Sequence, residues 1–272
     1  MSDGLVIDQL KKNQILDLLK EGKRVDGRQF DEPRKLTIDI GVIPKAEGSA
    51  RARLGDTEVV AGVKVQPERP FPDTGDKGML ICTAEILPIA HPSAETGPPQ
   101  PPVVELARVT DRGIRESGML DMKQLVLEKD KSVIGVFCDN AVTDHDGNLF
   151  DVCSYATTAA LNSCKLPKYE MQDDLPVKIE NETTDPPITT LPVSVTMARI
   201  GDYILVDPNM DEWSCLDARI TITTNSDGNV VALQKGGPEG FTSDQLIKCA
   251  EISVQVGSKI REIIKEATKG SN

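Results

Sequence analysis

Three groups of residues in this chain have types and spacings that could support chemistry. The first is a row of arginines, Arg108, Arg112 and Arg115, at i, i+4 and i+7 in "VVELARVTDRGIRES". On a helix they lie within roughly 60° of one another, and guanidinium groups in a row suit a phosphate backbone. Leu106, Val109, Gly113 and Ile114 fall on the other side, where they can pack on a sheet. Glu105, Asp111 and Glu116 stand three or four residues from these arginines. On spacing alone, a salt-bridged solvated face is therefore the simpler reading.

The second group is a carboxylate pair, Asp211 and Asp217, in "DPNMDEWSCLDARI". Asp217 opens a strand and Asp211 lies in the loop before it, so both could reach one Mg²⁺, which favours carboxylate oxygens. Without context such a loop reads as a solvated acidic turn. The third group is "VTDHDGNLFD", residues 142 to 151, with three aspartates and one of the two histidines. It lacks the acid that a calcium hand needs six places after Gly147, where Cys153 stands instead. Its only fellow histidine, His91, is more than fifty residues away. A turn between a strand and the next segment is the reading we prefer to a metal loop. The chain has no Walker loop, no GxGxxG and no sign of a Ser-His-Asp arrangement.

These groups need elements to position them. Leu5, Val6, Gln9, Leu10, Leu16 and Leu19 recur at helical steps over 5–21, with Gly22 as C-terminal cap. "KLTIDIGVI", "GSARARLGDTEVVAGVKVQ" and "MLICTAEILPI" read as strands. "HPSAETGPPQPP" is a stiff loop with no helix potential until its last proline, and a helix over 103–117 carries the arginines. "QLVLEKDKSVIGVFCDNAV" gives two or three strands, and "SYATTAALNSC" a buried helix of small residues. "MQDDLPVKIENETTDPPITTLP" reads as a linker into four further strands, with "NSDGN" as a hairpin turn. A helix from about Ser243 to Thr268 closes the chain, with Thr242 and Gln245 placed for a capping box. The order implies an α+β chain of two similar sheet-and-helix halves, with no fixed-period repeat in the letters. We divide it into an N-terminal helix (1–22), a first half (23–190) and a second half with the C-terminal helix (191–272).

Composition limits the function classes. A net charge of −12 excludes a coat of positive charge, so any nucleic-acid contact must rest on particular arginines. Aromatic residues make up 3 %, too few for a base-stacking platform to be the main device. The six cysteines show no CxxC spacing and read as buried thiols. No apolar run is long enough to span a bilayer and the N-terminus is too polar for a signal-peptide core, so we expect a cytoplasmic protein with no membrane partner.

Three stretches together carry a resemblance. "RVDGRQFDEPR" at 24–34 follows the pattern RxDGRxxxExR, then comes "GSA" at 48–50, then "GDTEVVAGV" at 55–63. In this order they resemble the opening of the RNase PH family, whose members degrade RNA 3′ to 5′ with phosphate as nucleophile. "ELARVTDRGIRES" and "GGPEGFTSDQLIKCAEIS" extend the likeness over nearly the whole chain. The proline loop and acidic balance resemble one branch, the non-catalytic RNase-PH-like subunits of archaeal exosomes.

The resemblance implies an RNase PH-like fold of two β-α-β-type halves, with helices packed on mixed sheets. Active members hold phosphate with Gly-Ser-Arg at a helix start and use two aspartates six residues apart. Asp211 and Asp217 match the aspartate pair, but the triplet falls on Gly147, Asn148 and Leu149. Leucine cannot hold a phosphate, and Asp144, Asp146 and Asp151 would repel one. The implied protein is inactive alone, holds no catalytic residue, cofactor or metal of its own, and pairs with a catalytic paralogue. Three such heterodimers would close a hexameric ring that works with RNA-binding cap subunits on single-stranded RNA. Arg108 and Arg112 become RNA contacts by this resemblance, with Arg115 beside them. Two alternatives are a self-sufficient phosphorolytic exoribonuclease and an unrelated acidic scaffold.

Overall fold

The computed structural model describes residues 2–269 except Asp174, with side chains from Leu10 onward. It opens with α1 (Ser2–Lys20) and four strands, β1 (Leu36–Ile40), β2 (Gly48–Leu54), β3 (Thr57–Glu68) and β4 (Met79–Ile86). Then come α2 (Pro101–Glu116), a 3₁₀ turn (Met122–Leu125), β5 (Val126–Glu128), β6 (Ser132–Asp144) and α3 (Leu149–Asn162). A hairpin of β7 (Leu166–Gln172) and β8 (Leu175–Thr184) leads to β9 (Val193–Ile200) and β10 (Tyr203–Val206). The chain ends with α4 (Met210–Cys215), β11 (Ala218–Thr224), β12 (Val230–Gly236) and α5 (Ser243–Thr268). This is the expected α+β fold of helices on mixed sheets. Among the described residues no helix is long and apolar enough to cross a membrane.

The larger sheet runs β1-β2-β3-β6-β4, with β5 also on β6, and only the β4–β6 pair is parallel. The second sheet runs β10-β9-β11-β12, antiparallel throughout. Period-two patterning sets the registers: Val59, Ala61, Val63 and Val65 of β3 turn inward, with less buried residues between them. α3 packs on β2 and β3 of the first sheet and on β9 of the second. That place between layers is why small residues were needed, and every residue from Leu149 to Leu161 is buried. α2 lies across β4 and β12, joining the free edges of both sheets. Gly113 lets α2 come close to β11, since a Cβ there would sit 3.3 Å from Thr223 Oγ1.

Four expectations need correction. The linker from Met171 contains most of the β7–β8 hairpin, whose residues are largely exposed and so show no apolar alternation. Leu10 of α1 is 59 % exposed, and the buried residues are Ile15 and Leu19, packed on Ile200, Leu205 and Cys215. The side chains of Leu5, Val6 and Gln9 lie outside the described residues. Asp211 sits not in a loop but in the first turn of α4, which Asn209 and Glu212 start with a capping box. Of the six cysteines, all free, Cys82 is only partly buried.

Candidate functional site

The arginine row forms one wall of a groove of about 730 Å³, opposite Leu80 to Cys82 on the free edge of β4. Pro101 and Pro102 start α2, where their missing amide hydrogens cost nothing. Leu106, Val109, Gly113 and Ile114 are buried as their spacing requires, which turns the arginines outward. The three then differ. Arg115, though exposed, is tied within the chain, donating from Nε and Nη2 to Asp111 at 3.0 and 2.7 Å and from Nη2 to the Leu80 carbonyl at 2.8 Å. Arg112 is half-buried, and its Nη2 donates to the Leu233 carbonyl at 2.9 Å and to Gln234 Oε1 at 2.8 Å. Its buried Nε has no partner among the described residues. Arg108 is exposed in the groove and makes no ion pair among the described residues. The salt-bridged reading of the row thus holds for Arg115, whereas Glu105 pairs with Arg219 of β11 at 2.6 Å.

The turn between β6 and α3, where the triplet falls, is filled by the protein's own groups. Gly147 has φ 84° and lies so close to the next loop that a Cβ would stand 2.6 Å from the Asn209 carbonyl carbon. Asn148, left-handed at φ 36° and fully buried, donates from Nδ2 to Asp151 at 2.9 Å and to Asp207 at 2.8 Å. Leu149 begins α3 and is 7 % exposed, facing the apolar core. Arg34 clamps Asp207 with Nη2 and Nε at 2.8 and 2.9 Å and donates from Nη1 to the Asp146 carbonyl at 2.6 Å. Burial of Asp207 favours the neutral acid, but the hydrogen bond and charge of Arg34 outweigh it and hold the carboxyl below its ordinary range. Burial pushes the Asp151 carboxyl up to about 7 against the donors of Asn148 and Thr196, with the Asp207 charge adding to the rise. Three carboxyl groups and an apolar side chain line this turn, and its one guanidinium, Arg34, is committed to Asp207 and Asp146.

Asp211 and Asp217 are engaged by α1. Lys11 Nζ donates to Asp211 at 2.6 Å, Lys12 donates to the other oxygen-bearing partner, Asp217, and Asp217 Oδ2 accepts from the Gly201 amide at 2.8 Å. Burial would raise the Asp217 carboxyl, but Lys12 and that amide hold it below its ordinary value. The donor set alone fits Mg²⁺, but both aspartates already have cationic partners. Among the described residues no three His, Cys, Asp or Glu side chains are grouped to hold a metal.

The two histidines, far apart in sequence, meet in the fold, with ring centroids 5.8 Å apart. They line a second cavity, of about 770 Å³, between the proline loop and β4. Burial, then His91 and Arg34, lower His145 to about 4, so it is neutral at physiological pH.

Comparison with known proteins decides the family. Residues 32–167 match the first domain of the 3′ exoribonuclease family and residues 190–256 match its second domain. The chain belongs to the 3′ exoribonuclease family. It is 44 % identical over 268 residues to the exosome complex component Rrp42 of Thermococcus gammatolerans, covering 98 % of each chain. It superimposes with a TM-score of 0.87 and 44 % identity on a chain of the Archaeoglobus fulgidus exosome with RNA bound to the active site, covering 94 % of this chain and 98 % of that one. A chain of an archaeal exosome core gives 0.84 and 42 %, covering 96 % and 98 %.

In this member of the 3′ exoribonuclease family, the arginines of the RxDGRxxxExR motif serve the core. Arg24 forms a wholly buried pair with Glu212 at 2.6 Å, and Arg28 and Arg34 both bond Asp207. Their partners lie 173 to 188 residues away, so periodicity alone could not have found them. The capping box of α4 has a sequence signal, the N-x-x-E of "NMDE".

Proposed function

We propose that this chain is the non-catalytic RNase-PH-like subunit of an archaeal exosome, a cytoplasmic phosphorolytic ring of three heterodimers with a catalytic paralogue. The observation that supports the reading is the turn at Gly147, Asn148 and Leu149, whose amide is spent on Asp151 and Asp207 and whose leucine faces the core. Two carboxylates without a held nucleophile do not perform phosphorolysis. In this reading the chain offers RNA its α2 arginines, Arg108 exposed in the groove and Arg112 fixed at its wall, and helps form the partner's active site. Guanidinium groups on a phosphodiester backbone position a strand without reading its sequence. Cap subunits would deliver the strand to the ring.

The test incubates labelled single-stranded RNA with Mg²⁺ and inorganic phosphate. The expected result is no nucleoside diphosphate from the purified chain and rapid release once the catalytic paralogue is added. Release by the chain alone would establish a self-sufficient exoribonuclease and refute the proposal.

A further inference from the structure

Arg219 of β11 is 7 % exposed and stands outside the arginine row, yet it is bonded into it. Its guanidinium lies over the Phe150 ring, 4.2 Å from the centroid, and 5.5 Å from that of Trp213. From this seat Nη2 donates to Glu105 Oε2 at 2.6 Å. Glu105 Oε1 accepts from Gln234 Nε2 at 2.8 Å, and Gln234 Oε1 accepts from Arg112 Nη2 at 2.8 Å. The order of donors and acceptors is forced. A carboxylate only accepts, so it turns the Gln234 amide with its nitrogen inward and its oxygen toward Arg112. Charge is ordered by the same chain. Glu105 stands three residues before Arg108 on α2, the spacing of a helical ion pair, yet Arg108 makes no ion pair among the described residues.

We infer that Arg219 is a positioning residue for the RNA groove: it withdraws Glu105 from Arg108 and, through Gln234, fixes the guanidinium of Arg112. The inference rests on the reading of α2 as an RNA-contacting wall. Phe150 follows Leu149 of the closed turn, and Trp213 lies between Asp211 and Asp217. The aromatic pair therefore places the relay's anchor beside the region where active members hold phosphate.

The relay is tested in the assembled ring by the affinity for a labelled oligoadenylate in the absence of phosphate. Gln234→Ala cuts the chain without touching a buried charge and is expected to weaken binding roughly three- to tenfold. In an Arg112→Ala background it should change nothing further. Arg219→Met is expected to release Glu105 onto Arg108 and weaken binding, and adding Glu105→Gln should restore much of the loss. A purely structural role would not give that rescue, because it would add a second core change to the first. Gln234→Ala binding like the parent while Arg112→Ala weakens binding would overturn the relay and leave the RNA reading standing, as would failure of the rescue. Unchanged affinity in both Arg108→Ala and Arg112→Ala would remove the RNA reading itself, and the relay with it.

Discussion

Arg34 meets Asp207 fork to fork, with Nη2 on Oδ1 at 2.8 Å and Nε on Oδ2 at 2.9 Å. The pair ties the segment before β1 to the end of β10, and Asn148 closes it by donating to the same Oδ1. Arg34→Ala leaves Asp207, 1 % exposed, without its main counter-charge. We expect a loss of about 3–5 kcal/mol in urea unfolding. A loss under about 1 kcal/mol would mean that Arg28 and Asn148 suffice.

A buried carboxyl and a half-buried imidazole should tilt stability with pH in opposite directions. Folded Asp151 keeps its proton up to about pH 7, whereas the unfolded carboxyl loses it near 3.8. Its stabilising contribution is complete below the lower value and is lost as pH rises through the upper one, at roughly 1.4 kcal/mol per unit at most. His145 is the reverse: neutral down to about 4 when folded and near 6.5 when unfolded, it contributes above 6.5 and loses that contribution as pH falls through about 4. Asp151→Asn should expose the decline in acid, and His145→Gln the decline toward neutral pH. Denaturant midpoints of parent and variants across this range check both signs, and parallel curves would refute the assignment.

The arginines of α2 should separate by salt dependence. In the assembled ring, Arg108→Ala is expected to lower the slope of log affinity against log salt by about 0.7, the value for one phosphate contact on a single strand. Arg115→Ala should have a smaller effect, because Asp111 and the Leu80 carbonyl already occupy its guanidinium. Fluorescence anisotropy at several salt concentrations measures both slopes, and equal effects would contradict the ranking.

Restoring the triplet should not restore a phosphate site. Asn148→Ser with Leu149→Arg removes the amide between Asp151 and Asp207 and puts a charge where the side chain is 7 % exposed. The expected outcome is a loss of about 3 kcal/mol or more with no phosphate-dependent release of nucleotides from the isolated chain. A stable, phosphorolytic variant would show that the turn has more room than its contacts indicate.

Local patterns in the sequence revealed much of the fold. The 3.6-residue period and capping pair of α5 and the alternation in β3 each carry their own signal and form where it points, while the buried helix read over 154–164 begins five residues earlier, at Leu149. β8 was missed because a mostly exposed hairpin has no buried face to impose a period. α4 was missed because six residues are too few to show one. The outward arginine row was legible too. Its inequality was not, because Gln234, Leu233 and Leu80 are brought to it only by the packing of α2 across both sheets. The meeting of His91 with His145 and of α1 lysines with two distant aspartates is equally a product of tertiary structure.

The bonding of Asn148 also bears on descent. Its amide is shared between two carboxyl groups that α3 and the Arg34 clamp depend on, so the turn has become part of what keeps the chain folded. A lineage that reaches this arrangement cannot step back by one substitution, since each single reversal costs stability before any anion can bind. The closed turn would act as a ratchet: under the function proposed above, it would hold the chain to that role even without selection against a second active site.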